Sequence, residues 1–274
     1  MLGKRILALD IGGSFIKSAL FVDGAPVRRF APIPSRSDGD ADAIGRALRR
    51  AVEAAGPVDG IGAAIPGPFD YARGVSLMEH KFGSIRGRAL SEYLGPAPVR
   101  YMHDANAFLW GEWKRGAGRG LRRVGGITLG TGIGAAFMAD GCLRTNDLGS
   151  PAEDASLWAR PFRGGRVEDY CSARALLAAC PAGSVKELAE RARAGEAAPR
   201  EAWRAFGVAL AEALAPWLEA LRPEAVIVGG QIAQSLDLFG EPLAALPIRP
   251  SALGARAALE GAAGLFFPAA ESRT

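Results

Sequence analysis

Two apolar runs separated by an aspartate and a pair of glycines constrain the fold of this chain more than any other feature. Residues 6–9 form a strand-like run that ends at Asp10, the pair Gly12-Gly13 follows, and apolar alternation resumes at Phe15. This pattern predicts a β-hairpin whose turn exposes backbone N–H groups. Such groups bind anions, and a neighbouring carboxylate can hold a cation that neutralises phosphate. An ordinary tight hairpin with Asp10 as a turn former explains the stretch equally well.

A second strand, glycine turn and strand occur in the middle of the chain. Residues 126–129 are apolar, residues 130–134 carry three glycines and a threonine, and residues 135–138 are apolar again. Repetition of one supersecondary unit suggests two related halves.

The length of the chain predicts two domains, because 274 residues exceed one domain of ordinary size. We place an N-terminal small α/β domain at residues 1–107 and a larger C-terminal α/β domain at residues 108–274. The last helix, at about residues 253–266, is expected to pack back across the hinge. Helical spacing of apolar residues predicts another helix over residues 201–221, which Pro216 should kink or divide.

Composition excludes several classes of function. The hydrophobic fraction of 49% and charged fraction of 23% are those of a soluble globular protein. The arginines are scattered and the net charge is only +4, so no nucleic-acid partner is expected. No apolar stretch reaches membrane-spanning length. Cys142, Cys171 and Cys180 lack metal-ligand spacing, so we expect no structural zinc, and reduced thiols indicate a cytoplasmic protein.

One aspartate lies where a catalytic group would be expected. Residues 99–102 predict a strand, His103 and Asp104 follow, and a helix begins after them. This order puts both side chains at the carboxyl end of a strand, where open α/β sheets bind ligands. A carboxylate there could accept a proton from a reacting alcohol, although Asp104 could also be a helix N-cap.

Five motifs occur in a fixed order along the chain. They are Asp10-Ile11-Gly12-Gly13, Ile65-Pro66-Gly67-Pro68, Asp104-Ala105-Asn106-Ala107 with Gly111-Glu112, Leu129-Gly130-Thr131-Gly132-Ile133-Gly134, and Pro223-Glu224-Ala225-Val226-Ile227-Val228-Gly229-Gly230. In this order and spacing they resemble the ROK family of bacterial sugar kinases and sugar-responsive repressors. The resemblance covers nearly the whole chain. It implies a two-domain α/β fold of the actin-like ATPase (ribonuclease H-like) type, with a nucleotide and sugar cleft between the domains.

The resemblance also implies a role for each matching residue. Asp104 would be the general base, and Asp10 would hold Mg²⁺ through water and phosphate. The residues implied to bind ATP are Asp10, Gly12, Gly13, Lys17, Gly130, Thr131, Gly132, Gly134, Gly229 and Gly230. Those implied to bind the sugar are Gly67, His103, Asp147, Ser150 and Glu168.

The chain departs from the family pattern on the sugar side. The family's zinc motif, a cysteine cluster with an upstream histidine, is missing. The family's Glu-x-Gly-His is replaced by residues 147–150, and its Asn-Asp is replaced by His103-Asp104. Residues 69–88, here called the flap, lack clear periodicity and differ from the family's asparagine-containing loop. The phosphate motifs therefore match the family better than the sugar pocket does.

The leading hypothesis is an ATP- and Mg²⁺-dependent kinase that phosphorylates a hydroxyl, the 6-OH, of a hexose or related sugar. Its partners would be a small-molecule sugar and a nucleotide, and its candidate assembly is a homodimer. One alternative is a polyphosphate-dependent glucokinase, with Arg160, Arg163 and Arg166 lining a polyanion groove. Another is a degenerate kinase without catalysis that senses sugar or binds a partner.

Overall fold

The structure is a computed structural model that describes residues 3–267. The β-strands of this part of the chain are β1 (Arg5–Ile11), β2 (Phe15–Val22), β3 (Ala25–Arg29), β4 (Ile33–Pro34), β5 (Gly60–Ile65), β6 (Phe69–Asp70), β7 (Val75–Ser76), β8 (Val99–His103), β9 (Arg123–Leu129), β10 (Ile133–Ala139), β11 (Cys142–Leu143), β12 (Pro161–Phe162), β13 (Gly165–Arg166), β14 (Ala225–Gly229) and β15 (Ile248–Pro250). Its α-helices are α1 (Ala41–Glu53), α2 (Asp104–Arg115), α3 (Val167–Tyr170), α4 (Ala173–Ala179), α5 (Val185–Arg193), α6 (Ala197–Leu221), α7 (Leu236–Phe239) and α8 (Ala257–Gly264).

The chain divides into two compact units. Unit 1 runs to Arg115 and also contains Thr145–Ser150 and the chain from Arg256 onward, whereas unit 2 contains Gly116–Arg144 and Pro151–Ala255. The boundary predicted after residue 107 would cut α2, which is one continuous helix, and the division instead follows that helix. The last helix is shorter than the predicted 253–266 and is counted with unit 1.

The sheet of unit 1 has the strand order β3-β2-β1-β5-β8, with β4 paired to β2. The predicted hairpin is confirmed: β1 and β2 are antiparallel, and Ile11 pairs with Ile16 across the turn. β1, β5 and β8 run parallel, with Asp10 opposite Ala64 and Ile65 opposite His103. Because parallel strands end at the same edge, the segments that follow β1, β5 and β8 are neighbours.

Glycines bring α8 into close contact with α2 and β5 within unit 1. A Cβ atom built on Gly261 would lie 2.0 Å from the backbone oxygen of Ala107 in α2, and one on Gly111 would lie 2.1 Å from a backbone oxygen of α8. A Cβ atom on Gly62 of β5 would likewise lie 2.0 Å from a backbone oxygen of α8. These contacts leave no room for side chains, so the three glycines allow the helix to lie directly against its neighbours.

Unit 2 contains a five-stranded sheet in the order β11-β10-β9-β14-β15. β9 and β10 form the second predicted hairpin, and β14 runs parallel to β9. Together with unit 1, this confirms the mixed α/β class.

The 25-residue helix α6 supplies much of the core of unit 2. It continues through Pro216, so the predicted division of the helix there is wrong. Trp203 and Trp217, fully buried on either side of the proline, explain why. Burial of large aromatic side chains offsets the ~3 kcal/mol that an interior proline costs. Among residues 3–267, neither α6 nor any other helix has the length and apolar character needed to cross a membrane.

We expect Gly261→Ala to lower the free energy of unfolding by about 1–3 kcal/mol, the usual cost of an overpacked core. The added methyl group would meet the backbone of Ala107, which cannot turn aside as a side chain can. Urea unfolding measures the change. Gly83→Ala is the matched control, because nothing lies within 4 Å of a Cβ atom at that glycine. Equal stability of the two variants would contradict the close-contact explanation.

Candidate functional site

Asp10 and Lys17 form an ion pair beside the first glycine turn. They lie opposite each other on β1 and β2, and Lys17 Nζ donates a hydrogen bond to Asp10 Oδ2 at 2.8 Å. Burial raises the pKa of the Asp10 carboxyl, and Lys17 partly offsets that rise. Asp104 follows β8, which ends at the same edge of the sheet as β1, and its negative charge also raises the pKa of Asp10. A further cation bound there would be electrostatically favourable.

The turn that follows Asp10 is pinned by two serines. Ser35 Oγ and Ser37 Oγ each donate a hydrogen bond to the carbonyl oxygen of Gly13 at 2.6 Å. Gly12 N–H donates to the Phe15 carbonyl oxygen at 3.0 Å. The N–H of Gly13, by contrast, has no acceptor among residues 3–267. The turn is therefore rigid and leaves a backbone donor available for an anion.

His103 and Asp104 lie side by side where β8 meets α2. His103 Nδ1 lies 3.0 Å from Asp104 Oδ1, and the Ala105 N–H donates both to that oxygen, at 2.7 Å, and to His103 Nδ1, at 3.1 Å. Burial lowers the pKa of His103, although Asp104 acts in the opposite direction, so the ring is neutral at pH 7.

The Ala105 N–H, at the start of α2, holds the Asp104 carboxylate beside the His103 ring. The Asp104 side chain is still 40% exposed, so a substrate can reach it. A fixed and accessible carboxylate is the arrangement that proton abstraction from a hydroxyl requires.

Gly67 and Ser150 lie beside His103 within unit 1. A Cβ atom built on Gly67 would lie 3.4 Å from Ser150 Oγ and 3.7 Å from His103 Cδ2. The ring of Tyr71 is 5.9 Å from that of His103, and its hydroxyl donates to the Ile65 carbonyl oxygen at 2.9 Å. Three of the predicted sugar residues are therefore neighbours. Asp147 is exposed and makes none of these contacts.

Asn106 is a site residue to which sequence reasoning gave no role. It is buried in α2, and its Nδ2 donates to the Gly149 carbonyl oxygen at 3.1 Å, which holds the loop that carries Ser150. Its Oδ1 is buried without a hydrogen-bond partner among the described residues. The sequence signal that could have identified Asn106 is its polar amide, two positions after Asp104, at the start of a helix that is otherwise apolar there. Tyr71, in the flap, gave no comparable signal.

The second glycine turn gathers the predicted residues of unit 2. Gly130 N–H donates to the Gly132 carbonyl oxygen at 3.0 Å, which closes the turn between β9 and β10. A Cβ atom built on Gly132 would lie 2.2 Å from Glu168 Oε2, so that carboxylate lies directly over the turn. Thr131 is exposed at the tip, and Gly134 pairs with Thr128 in the hairpin.

The end of β14 lies beside the same turn. Gly230 has φ +94°, and a Cβ atom there would lie 2.2 Å from the carbonyl oxygen of Leu129, so this position requires glycine. Gly229 pairs with Thr128 of β9. The structure thus brings Gly229-Gly230, the turn and Glu168 together in unit 2. Glu168 belongs to unit 2, whereas Gly67, His103 and Ser150 belong to unit 1.

Within residues 3–267, no group of three or more histidine, cysteine, aspartate or glutamate side chains is placed to hold a metal ion. Cys171 is buried, which raises the pKa of its thiol to about 12. Mg²⁺ usually binds through one or two carboxylates, waters and substrate phosphates rather than through a full protein cage. The partly buried Asp10 carboxylate, on the strand that leads into the Gly12-Gly13 turn, fits that mode of binding.

Comparison with known proteins identifies the family. The model of the ROK family matches residues 6–249. The chain belongs to the ROK family. It is similar to a glucokinase from Thermotoga maritima, with 28% identity over 273 residues that cover 87% of this chain and 86% of that protein.

Two solved structures extend the comparison. A ROK family glucokinase from Streptomyces griseus, in complex with glucose and AMPPNP, has a TM-score of 0.80 and 27% identity and covers 95% of this chain and 98% of its own. An inorganic polyphosphate/ATP-glucomannokinase from Arthrobacter sp. strain KM has a TM-score of 0.72 and 28% identity, covering 95% and 97%. These likenesses confirm the predicted actin-like ATPase fold and support a sugar kinase.

We expect His103 to make folding stability depend on pH. Because the pKa of His103 is lowered in the folded protein, the unfolded chain binds a proton below about pH 6.5 while the folded one does not. Wild type should therefore lose stability relative to His103→Asn as the pH falls from about 6.5 towards the lowered pKa. Urea midpoints at several pH values measure this difference. The exposed His80 gives the control His80→Asn, which should follow wild type; a His103→Asn profile parallel to wild type would refute the prediction.

Proposed function

We propose that this ROK sugar kinase transfers the terminal phosphoryl group of ATP to a hydroxyl, the 6-OH, of a hexose or related sugar in the presence of Mg²⁺. The observation that carries the proposal is the Asp104 carboxylate, held by the Ala105 N–H beside the His103 ring yet partly exposed. The likeness to a glucokinase bound to glucose and AMPPNP supports a hexose acceptor and a nucleotide donor.

Asp104 is proposed to act as the general base. The sugar hydroxyl oxygen forms a bond to the γ-phosphorus while the bond from that phosphorus to the bridging oxygen breaks. The hydroxyl proton passes to an Asp104 oxygen, and ADP leaves with the electron pair of the broken bond. An alcohol attacks phosphorus poorly unless its proton is removed as the new bond forms. The Ala105 N–H keeps the carboxylate in place.

The two glycine turns are proposed to bind the phosphates of ATP. The N–H of Gly13 is available in unit 1, and residues 130–132 form a similar turn in unit 2. Gly229 and Gly230 would approach the adenosine, because neither residue carries a side chain of its own. Mg²⁺, when bound near Asp10 through water and phosphate, would supply positive charge to the phosphoryl group.

Gly67, His103, Ser150 and Glu168 are proposed to bind the sugar. His103 Nε2 can form a hydrogen bond with a sugar hydroxyl, and the Ser150 hydroxyl can donate or accept one. Asp147, exposed on the same loop as Ser150, would reach the sugar only at the rim of the pocket. A homodimer and a cytoplasmic location remain predictions.

Polyphosphate as the donor is a second candidate, supported by the likeness to the Arthrobacter enzyme. The arginines proposed for a polyanion groove, however, have partners inside unit 2. Arg163 pairs with Glu212 at 2.5 Å, and Arg166 pairs with Asp169 at 3.4 Å. Arg160 donates to two backbone carbonyl oxygens. Because these charges are already engaged, ATP is the donor we propose.

Asp104→Asn should reduce kcat by about 10²–10⁴-fold, the usual contribution of a general base. The amide keeps the shape of the carboxylate but cannot take the proton, so nucleotide binding and thermal stability should change little. Asp42→Asn, an exposed aspartate in the first turn of α1, is the matched control and should retain wild-type turnover. Wild-type turnover by Asp104→Asn would exclude the assignment.

A panel of hexoses and substituted hexoses assayed with ATP and with polyphosphate tests the reaction itself. We expect formation of a sugar phosphate with ATP, detected together with ADP. Turnover with polyphosphate alone would favour the second donor. Tight sugar binding by calorimetry without turnover on any pair would favour the sensor hypothesis.

A further inference from the structure

The flap places a lysine side chain beside the first glycine turn. The side chain of Lys81 packs on Gly13: a Cβ atom built on that glycine would lie 3.1 Å from Lys81 Cδ, 3.3 Å from Cε and 3.5 Å from Nζ. The ammonium group of Lys81 is thus held beside the backbone of the turn. No sequence motif pointed to this contact.

The position of Lys81 is fixed by the residue that follows it. Phe82 is 1% exposed, and its N–H donates to the Ser37 carbonyl oxygen at 2.7 Å. The hydroxyl of the same serine donates to the Gly13 carbonyl oxygen at 2.6 Å. Ser37 therefore joins the flap to the turn through two hydrogen bonds. This bridge places Lys81 by the backbone rather than by a chance side-chain conformation.

The charge of Lys81 is available for a ligand. Lys17, the other lysine near the turn, is paired with Asp10 at 2.8 Å. Arg86, also on the flap, is paired with Glu79 at 3.3 Å. Lys81 forms no ion pair with any carboxylate in the part of the chain that the structure describes, and it remains exposed. An unpaired ammonium group beside the free N–H of Gly13 makes a site for an anion.

We propose that Lys81 is a further catalytic residue, whose ammonium group contacts the phosphoryl group that is transferred at the Gly12-Gly13 turn. This rests on the proposed function and deepens it, because it identifies a positive charge on the donor side of the reaction. Charge on the transferring group is spread over its outer oxygens in the transition state. A preorganised cation stabilises that charge more than it stabilises the bound substrate. The contact of Lys81 is with the Gly12-Gly13 turn. We therefore propose that the anion it binds is the donor phosphate and not an acidic group on the sugar.

The test compares Lys81→Met, which keeps the length of the side chain and removes its charge, with Lys81→Arg and Arg86→Met. We expect Lys81→Met to lower kcat/KM for ATP by about 10- to 100-fold, the size of one charge-assisted hydrogen bond. The KM for the sugar should stay unchanged, and Lys81→Arg should recover part of the loss. Arg86→Met removes a cation of the same flap away from Gly13 and should behave as wild type.

Calorimetric binding of tripolyphosphate to the sugar-free protein separates this inference from the proposed function. Lys81→Met should weaken that binding, whereas Arg86→Met should not. Wild-type kinetics and tripolyphosphate binding in Lys81→Met would overturn the inference, as would a loss confined to the KM for the sugar. Absence of sugar phosphorylation by wild type would contradict the proposed function, while the tripolyphosphate comparison would still decide the role of Lys81.

Discussion

Parallel pairing of β1, β5 and β8 fixes the positions of Asp10 and His103 in unit 1. Backbone hydrogen bonds set Asp10 against Ala64 and Ile65 against His103. All six residues of β5 are buried, so the sheet is covered on both faces and the register cannot slip without exposing apolar side chains. A slip of one residue in β1 would also turn Asp10 to the opposite face. The chemistry of the site therefore depends on a backbone register that apolar packing maintains.

The two units share one supersecondary arrangement but place different side chains around its glycine turn. In each, a hairpin closes on a glycine turn, and the first strand of the hairpin pairs in parallel with a later strand. In unit 1 the turn is pinned by two serine hydroxyls and lies beside the Asp10–Lys17 ion pair. In unit 2 a carboxylate, that of Glu168, lies against the turn instead. The internal repeat seen in the sequence thus corresponds to a repeated architecture with different side chains around it.

The features that could be predicted from the sequence are those specified by patterns over a few neighbouring residues. Alternating apolar residues and glycine pairs specify both hairpins, and a strand followed by a helix places His103 and Asp104, because these patterns act over a few residues. The contacts Lys81–Gly13 and Asn106–Gly149 join segments far apart in the chain, and the flap has no periodicity that could position Lys81. Of the two outcomes predicted at Pro216, a kink or a boundary, the boundary is wrong, because burial around the proline, which local propensity does not report, keeps α6 continuous. The loop that carries Asp147 was the least predictable part of the candidate site, since exposed loop residues carry no packing signal.

The placement of α8 has a consequence for synthesis. The helix that covers β1 and β5 comes from Ala257–Gly264, whereas β1 itself begins at Arg5. On the ribosome, unit 1 therefore cannot complete its core until all of unit 2 has been synthesised. The inserted unit thus has its whole sequence available before unit 1 does. During that interval the apolar face that awaits α8 stays uncovered, which makes the nascent chain, rather than the finished enzyme, the state most exposed to aggregation.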